Sequence, residues 1–310
     1  MPTARPAAKV NLTLSVGARG ADGYHPLRSV FMRIGLSDEL KVEQATREAG
    51  ADSLIVTGLP GCPVDDNLVL RAFAALRAAT GLALPPLAAR LDKRIPLTAG
   101  LGGGSSDAAA ALELGAECWG IGLAPAAGTR LAASLGSDVP FFSAGAPAAL
   151  VEGRGEIVTP LPGVSGEAGV LLAVTATQLS TGAVYARHDD LAAATAEGGP
   201  ITDSLAASLR SGLDAAALAD RLSDLRDAND LWPAAAELQP GLVTRRASLE
   251  QETGQPWLLT GSGPTLFTLY PSPEEARAAG HRLERRASAA RLGATLLASG
   301  SNPVSNERRT

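Results

Sequence analysis

Residues 9–16 alternate without a break, with Val10, Leu12, Leu14 and Val16 on one side and Lys9, Asn11, Thr13 and Ser15 on the other. That is the period-two pattern of a strand with one face buried and one face polar. Val30, Met32, Ile34 and Leu36 repeat the period. Between the two runs lie Gly17 and the turn pair Asp22-Gly23, so the pattern predicts two strands joined by a looped connection. Short apolar runs at 54–57 and 87–91 predict two more strands. They bracket residues 68–79, where Leu68, Ala72, Leu76 and Ala79 recur at three- and four-residue spacing, as one face of a helix does. Ala108, Leu112, Gly115 and Trp119 set out a second helix over 106–119.

Pro160, Pro162, Gly163 and Gly166 make residues 161–167 read as a linker. Beyond it the pattern predicts a buried strand at 170–174, several helices between 181 and 252, and strands at 257–259 and 266–270. A helix over 273–291 and a strand near 295–297 follow. That order fits a split β-α-β, ferredoxin-like unit with extra helices. The expected fold class is α+β. A mixed first domain would cover 1–160 and a second 161–299, with a polar, flexible tail over 300–310.

Composition narrows the chemistry. The 310 residues suffice for two medium domains. With 4% aromatic residues and 34 glycines, the cores must be built from small aliphatic side chains. A net charge of -5 argues against a partner bound mainly through a nucleic-acid backbone, so any anionic ligand must be held locally. Arg282, Arg285, Arg286 and Arg291, with Glu284 among them, read as a solvated helix face. Cys62 and Cys118 form no C-x-x-C pair, and His25, His188 and His281 lack metal-ligand spacing. A reduced compartment without a structural metal is expected. The longest weakly polar stretch, 139–151, is broken by Pro140 and Pro147. With no apolar run of signal or membrane length, a cytoplasmic protein with neither nucleic-acid nor membrane partner is expected.

The most informative segment is Pro96, Leu97, Thr98, Ala99, Gly100, Leu101, Gly102, Gly103, Gly104, Ser105, Ser106, which runs into the second predicted helix. Glycines let a backbone approach a ligand closely, and the helix start offers unpaired N–H groups and a positive dipole end. An anion-binding nest is one reading; a flexible turn capped by Ser105 or Ser106 is the other. No Gly-Lys-Ser/Thr follows, and Ser105 stands where a dinucleotide fingerprint needs its last glycine, so neither of the two commoner phosphate loops is present. The loop has no cation, so a bound triphosphate would need Mg²⁺ or a lysine from elsewhere, with Lys9 and Lys93 as candidates.

Other positions admit a structural and a chemical reading. Lys9 on the polar strand face can reach solvent or a site. Asp138, set before Val139-Pro140, can be a turn residue or a fixed proton acceptor. Gly261, Ser262 and Gly263 can be a tight turn between strands or a cover for reacting groups. Tyr24, His25 and Tyr185 can fill a core or sandwich a flat heterocycle, with His25 bonding its edge.

Taken together, the lysine strand, the Gly-Leu-Gly-Gly-Gly-Ser-Ser loop and the late Gly-Ser-Gly loop resemble the GHMP kinase superfamily, over about residues 9–270. Lys9-Val10-Asn11-Leu12, Asp22-Gly23-Tyr24-His25, Asp66-Asn67-Leu68, Asp92-Lys93-Arg94 and Gly136-Ser137-Asp138-Val139-Pro140 resemble its branch acting on a cytidine diphosphate derivative of methylerythritol. The resemblance implies a two-domain kinase, monomer or homodimer, that uses ATP and Mg²⁺ on a small-molecule acceptor in the non-mevalonate isoprenoid pathway. It further implies Asp138 as general base with Lys9 assisting, and residues 96–106 around the ATP phosphates. Asn67 and Lys93 would lie near the adenosine, Tyr24, His25 and Tyr185 at the cytosine, and Asn11 and Thr181 at the remaining substrate groups. Gly261, Ser262 and Gly263 would face the reaction centre. The alternatives are a mevalonate, homoserine or galactose type of the same superfamily, or a ligand sensor that has lost catalysis. Two departures are visible: Pro6 stands three residues before Lys9 rather than two, and Tyr185 replaces a phenylalanine.

Overall fold

The computed structural model describes residues 1–46, 50–191, 198–286 and 294–301. Three sheets organise them. The first runs β1 (Thr3–Ala4), β5 (Glu39–Gln44), β7 (Leu87–Lys93), β6 (Ser53–Gly58), with β6 and β7 parallel. The second runs β2 (Ala7–Asn11), β4 (Leu27–Ser37), β8 (Ala148–Gly153), β9 (Ile157–Leu161), with β3 (Ser15–Val16) also on β4. The third, β11 (Leu258–Leu259), β12 (Leu266–Tyr270), β10 (Gly169–Val174), β13 (Thr295–Gly300), is antiparallel throughout. With the helices around it, this is the α+β class the sequence pattern predicts.

The helices α1 (Leu68–Thr80), α2 (Gly103–Trp119), α3 (Pro125–Leu135) and α4 (Val139–Ser143) cover the first sheet and one face of the second. The other face of the second sheet packs on the third. Val10, Leu12, Val30, Met32 and Ile34 there meet Val170, Leu172, Leu205 and Phe267 in one cluster, completed by α6 (Gly198–Arg210), α7 (Ala215–Asp220) and α8 (Leu222–Leu225). The far side of the third sheet is closed by α5 (Thr181–Leu191), α9 (Trp232–Leu238), α10 (Gly241–Thr253) and α11 (Pro273–Arg286) around Trp257.

Three expectations change. The first strand is not half-buried: every residue from 7 to 16 is buried, because its polar face is covered by the elements that build the site. Nor is it continuous. The backbone leaves the ladder between β2 and β3, where Leu14 N–H donates to Ala228 O (2.7 Å). The segment 161–167 is packed rather than free: Leu161 and Val164 belong to the shared core, and Ser165 N–H donates to Leu213 O (2.9 Å).

At the C-terminal side the last strand runs on to Gly300, and Ser301 is buried with its N–H on Ala168 O (2.8 Å). The tail beyond Ser301, and Arg291 of the basic run, lie outside the described residues. Arg282 and Arg285 are exposed, as a solvated face requires. Among the described residues no helix is long and apolar enough to cross a membrane.

Candidate active site

α2 starts at Gly103, three residues before its apolar stripe indicates. Ser105 and Ser106 therefore sit inside the first turn and cap nothing. The N-cap is Gly102, in the left-handed region (φ 71°) and with no side-chain cap bond, so the first-turn N–H groups keep no side-chain partner. That favours the nest over the capped turn. Glycine is favoured at Gly102, because the left-handed φ strains any side chain and an added Cβ would stand 3.0 Å from the Phe142 ring and 3.2 Å from Lys9 Cε, so that a neighbour would have to shift. Buried Ala99 and Leu101 anchor the loop from below, and Lys9 N–H donates to Leu101 O (3.0 Å). Thr98, at φ 51°, is exposed at the bend.

The strand thus delivers Lys9 against the loop. Its ammonium donates to Asn11 Oδ1 (2.6 Å) and lies 3.4 Å from Asp138 Oδ2, with the Phe31 ring 4.6 Å away. Lys9 is 3% exposed, which removes the solvent-reaching reading. Asp138 sits at the N-cap position of α4 yet makes no cap bond, so its carboxylate is left for other use. Asn11 is held in turn: Nδ2 donates to Ser29 Oγ (3.1 Å) and its backbone N–H to Thr260 Oγ1 (3.1 Å). Thr260 opens the late glycine turn, and Asn229 Nδ2 steadies that turn through Leu259 O and Gly261 O, both at 2.9 Å.

On the other side of Asp138, the loop before β4 and the first turns of α5 bring Tyr24, His25 and Tyr185 together. The His25 and Tyr185 ring centroids are 5.3 Å apart. His25 Nε2 lies 2.5 Å from Asp189 Oδ1, and Arg19 Nη1 lies 3.8 Å from Asp189 Oδ2. Tyr24 is 58% exposed, the opposite of a core residue, and the Arg154 guanidinium covers its ring at 4.3 Å. Arg154 also pairs with Asp22. Burial and the charge of Asp138 push the Tyr185 phenol up to about 12, so it stays a neutral donor.

One cavity of about 560 Å³ joins these parts. Lys9, Asn11, Tyr24, His25, Gly100, Gly102, Ser105, Asp138, Thr181, Tyr185, Gly261 and Ser262 all line it. Thr181 Oγ1 and Ser262 Oγ share a hydrogen bond of 3.0 Å in its wall. Gly263 is not in the lining; its N–H closes the turn on Thr260 O (3.0 Å). Arg19, Arg154 and Asp189 line the cavity without having been picked out from the sequence. Of these, Asp189 could have been found, since it lies four residues after Tyr185 on a predicted helix and so shares its face.

Two expected nucleotide residues already have partners within the protein. The Lys93 ammonium is buried between Asp38 and Asp107, 2.7 Å from Asp107 Oδ2. Burial alone would lower its pKa, but the two carboxylates outweigh that and raise it. Its charge is therefore already met by two carboxylates, which weighs against the role of counter-charge to a triphosphate that the sequence suggested, although the ammonium lies 3.3 Å from where a Cβ on Gly103 would stand. Asp107, with burial as the main cause, is pushed up to about 7. Asp38 Oδ1 meanwhile accepts from Arg94 N–H (2.5 Å) and Ile95 N–H (2.8 Å), so the trio sets the chain direction into the glycine loop. Asn67 caps α1: its Oδ1 accepts from Val69 N–H (3.0 Å) and its Nδ2 donates to Pro63 O (2.9 Å). Neither residue lines the cavity, nor do Pro96 and Leu97.

Residues 67–146 match the GHMP kinases N terminal domain and residues 205–289 the GHMP kinases C terminal domain. A 4-diphosphocytidyl-2-C-methyl-D-erythritol kinase of Symbiobacterium thermophilum is 39% identical over 284 residues, covering 90% of this chain and 93% of the relative. One from Streptomyces coelicolor is 38% identical over 308 residues, covering 95% and 99%. A solved 4-(cytidine 5'-diphospho)-2C-methyl-D-erythritol kinase superposes with a TM-score of 0.71 at 30% identity, covering 96% of this chain and 98% of the other. A mevalonate kinase of L. major (TM-score 0.68, 13% identity, covering 98% of this chain and 96% of the other) shares the fold alone. On identity that extends over nearly the whole of its relatives, the chain belongs to the 4-diphosphocytidyl-2-C-methyl-D-erythritol kinase family of the GHMP kinases.

Proposed function

We propose that the chain transfers the γ-phosphoryl group of ATP to the 2-hydroxyl of 4-diphosphocytidyl-2-C-methyl-D-erythritol, a step of the non-mevalonate isoprenoid precursor pathway. The observation that carries this reading is the placement of Lys9 and Asp138, 3.4 Å apart, in one cavity between the Gly102 nest and the Tyr24, His25 and Tyr185 cluster. The nest suits phosphates and the aromatic cluster suits a nucleobase. The pair between them suits a hydroxyl.

In the proposed reaction Asp138 accepts the hydroxyl proton as the oxygen bonds to the γ-phosphorus. The bond from that phosphorus to the β,γ-bridging oxygen breaks, and ADP leaves. Lys9, held by Asn11, faces the charge that develops on the attacking oxygen and the transferring group. The N–H groups from Gly102 to Ser105 hold the phosphates in line, and Thr181 and Ser262 bound the acceptor chain. Such transfer depends mainly on positioning and electrostatics.

With Lys93 committed to Asp38 and Asp107, Lys9 is the lysine at the phosphate side of the cavity. The remaining negative charge fits Mg²⁺, which takes hydroxyl and phosphate oxygens with few protein carboxylates; Ser105, in the lining beside the nest, would offer it a hydroxyl oxygen. When bound, the ion would neutralise charge on the β- and γ-phosphates.

ADP release with ATP, Mg²⁺ and the cytidyl substrate, beside mevalonate, homoserine and galactose, tests the proposal. Turnover with the cytidyl substrate alone is expected. Turnover with another acceptor would keep the kinase and discard this acceptor, and silence across the panel would favour a ligand sensor.

A further inference from the structure

His25 is held by a residue that no motif pointed to. Its Nε2 lies 2.5 Å from Asp189 Oδ1, a charge-assisted distance, and the His25 side chain is 7% exposed. At the other oxygen of Asp189 the Arg19 guanidinium stands 3.8 Å away. The ring is also confined by Tyr185, at 5.3 Å, and by His188, edge-on at 6.3 Å. A carboxylate only accepts, so the proton on this contact belongs to Nε2. A neutral imidazole has one N–H, which leaves Nδ1 with a lone pair. Nδ1 has no hydrogen-bond partner among the described residues, and His25 lines the cavity.

We propose that Asp189 is a positioning residue that fixes His25 as an acceptor and thereby selects a pyrimidine bearing an exocyclic amine over one bearing a carbonyl there. This rests on the reading that His25 faces the nucleobase. Cytosine offers an N4 amine, which donates to a lone pair, whereas uracil offers the O4 acceptor, which meets that lone pair unfavourably. A site built to hydrogen-bond a donor group rejects the analogue lacking it, because its buried acceptor is then left unpaired. Without Asp189 the ring is free to place its proton on either nitrogen or to rotate, and the discrimination is lost while the Lys9–Asp138 chemistry stays intact.

The test uses the full-length protein, with CDP and UDP as probes and calorimetric titration as the readout. Wild type should prefer CDP, and Asp189→Ala should lower that preference about tenfold. Asp189→Glu, which keeps an acceptor, should restore part of it. With the cytidyl substrate, Asp189→Ala should raise KM and leave kcat within about twofold, the pattern of lost binding rather than lost chemistry. Alanine favours the helix that carries the position. Independently of any variant, ¹⁵N chemical shifts of the His25 ring in wild type should show Nε2 protonated and Nδ1 bare. An undiminished CDP preference in Asp189→Ala, or a protonated Nδ1 in wild type, would overturn the inference while leaving the cytidyl reading in place. Equal binding of CDP and UDP by wild type would overturn that reading and the inference with it.

Discussion

Asp138 keeps 28% of its side chain exposed while Lys9, 3.4 Å away, keeps 4%. The carboxylate is thus the partner that can meet an incoming hydroxyl, and the buried ammonium is the one that stays put. Asp138→Asn removes the proton acceptor but keeps the shape, so kcat should fall by about two powers of ten or more with KM for either substrate changed only a few-fold. Steady-state kinetics on a variant with an unchanged melting point check this, and a near-normal kcat would reject the general base. At this scale the sequence pointed to residues that meet in one cavity where they stand in short motifs, as at Lys9, Asp138 and the glycine loop. It was uninformative where a residue's partner is remote: Arg154 meets Asp22 across 132 positions and His25 meets Asp189 across 164. It was silent on the partners of Lys93, because nothing local shows that Asp38 and Asp107 converge on the same ammonium.

Among the elements, part of the strands and helices was legible from their periods, with β12 and the start of α1 falling where the pattern puts them, whereas β5, β8 and β9 have no counterpart in it. The start of α2 was not, since Gly103 and Gly104 read as loop by propensity but form its first turn behind the left-handed Gly102. Gly102→Ala tests that position. A left-handed alanine costs about 1–2 kcal/mol, and its Cβ would press on Phe142 and Lys9. The expected outcome is a KM for ATP raised about tenfold with unchanged far-ultraviolet dichroism; an unaltered KM would detach the loop from the nucleotide. A second element, α10, is tied to the turn after α8 by Glu250, which accepts from Arg226 Nε (2.6 Å) and Nη2 (2.8 Å) and from Trp257 N–H (3.2 Å). Burial would raise the Glu250 pKa, but these bonds outweigh it and lower the value below its ordinary one. A depressed carboxylate contributes stability that is present above its unfolded pKa of about 4.3 and is lost as pH falls through the folded value. Glu250→Gln should therefore lower stability by about 1–2 kcal/mol near pH 7, and the gap to wild type should narrow below about pH 4. Denaturant titrations at several pH values measure it, and a gap independent of pH would show that the charge is immaterial.

Over the whole molecule, the site depends on the two halves sharing structure rather than merely touching. Asn11 is fixed by Thr260, Leu14 N–H between β2 and β3 donates to Ala228 O, and Val16 N–H donates to Asp230 Oδ2 (2.9 Å). Residues from β2 and β4 sit in the same apolar cluster as β10, β12 and α6 to α8. The sequence could not show this, because alternation on β2 looks the same whether its polar face meets water or another element. A Gly- and Pro-rich crossing likewise reads as a linker even when Leu161 and Val164 are buried in the common core. If each half had its own core, the contact between them would resemble a weak interface, and they would melt separately. A shared cluster instead couples them, since exposing either half uncovers the apolar surface of the other at about 25 cal/mol per Å². Scanning calorimetry at neutral pH should then give one transition with matching calorimetric and van 't Hoff enthalpies. A saturating nucleotide should move that transition upward as a unit, by mass action on the folded form. Two resolved transitions, only one of which responds to nucleotide, would mean that the halves fold independently and that the Lys9–Asn11–Thr260 connection is made only after each is complete.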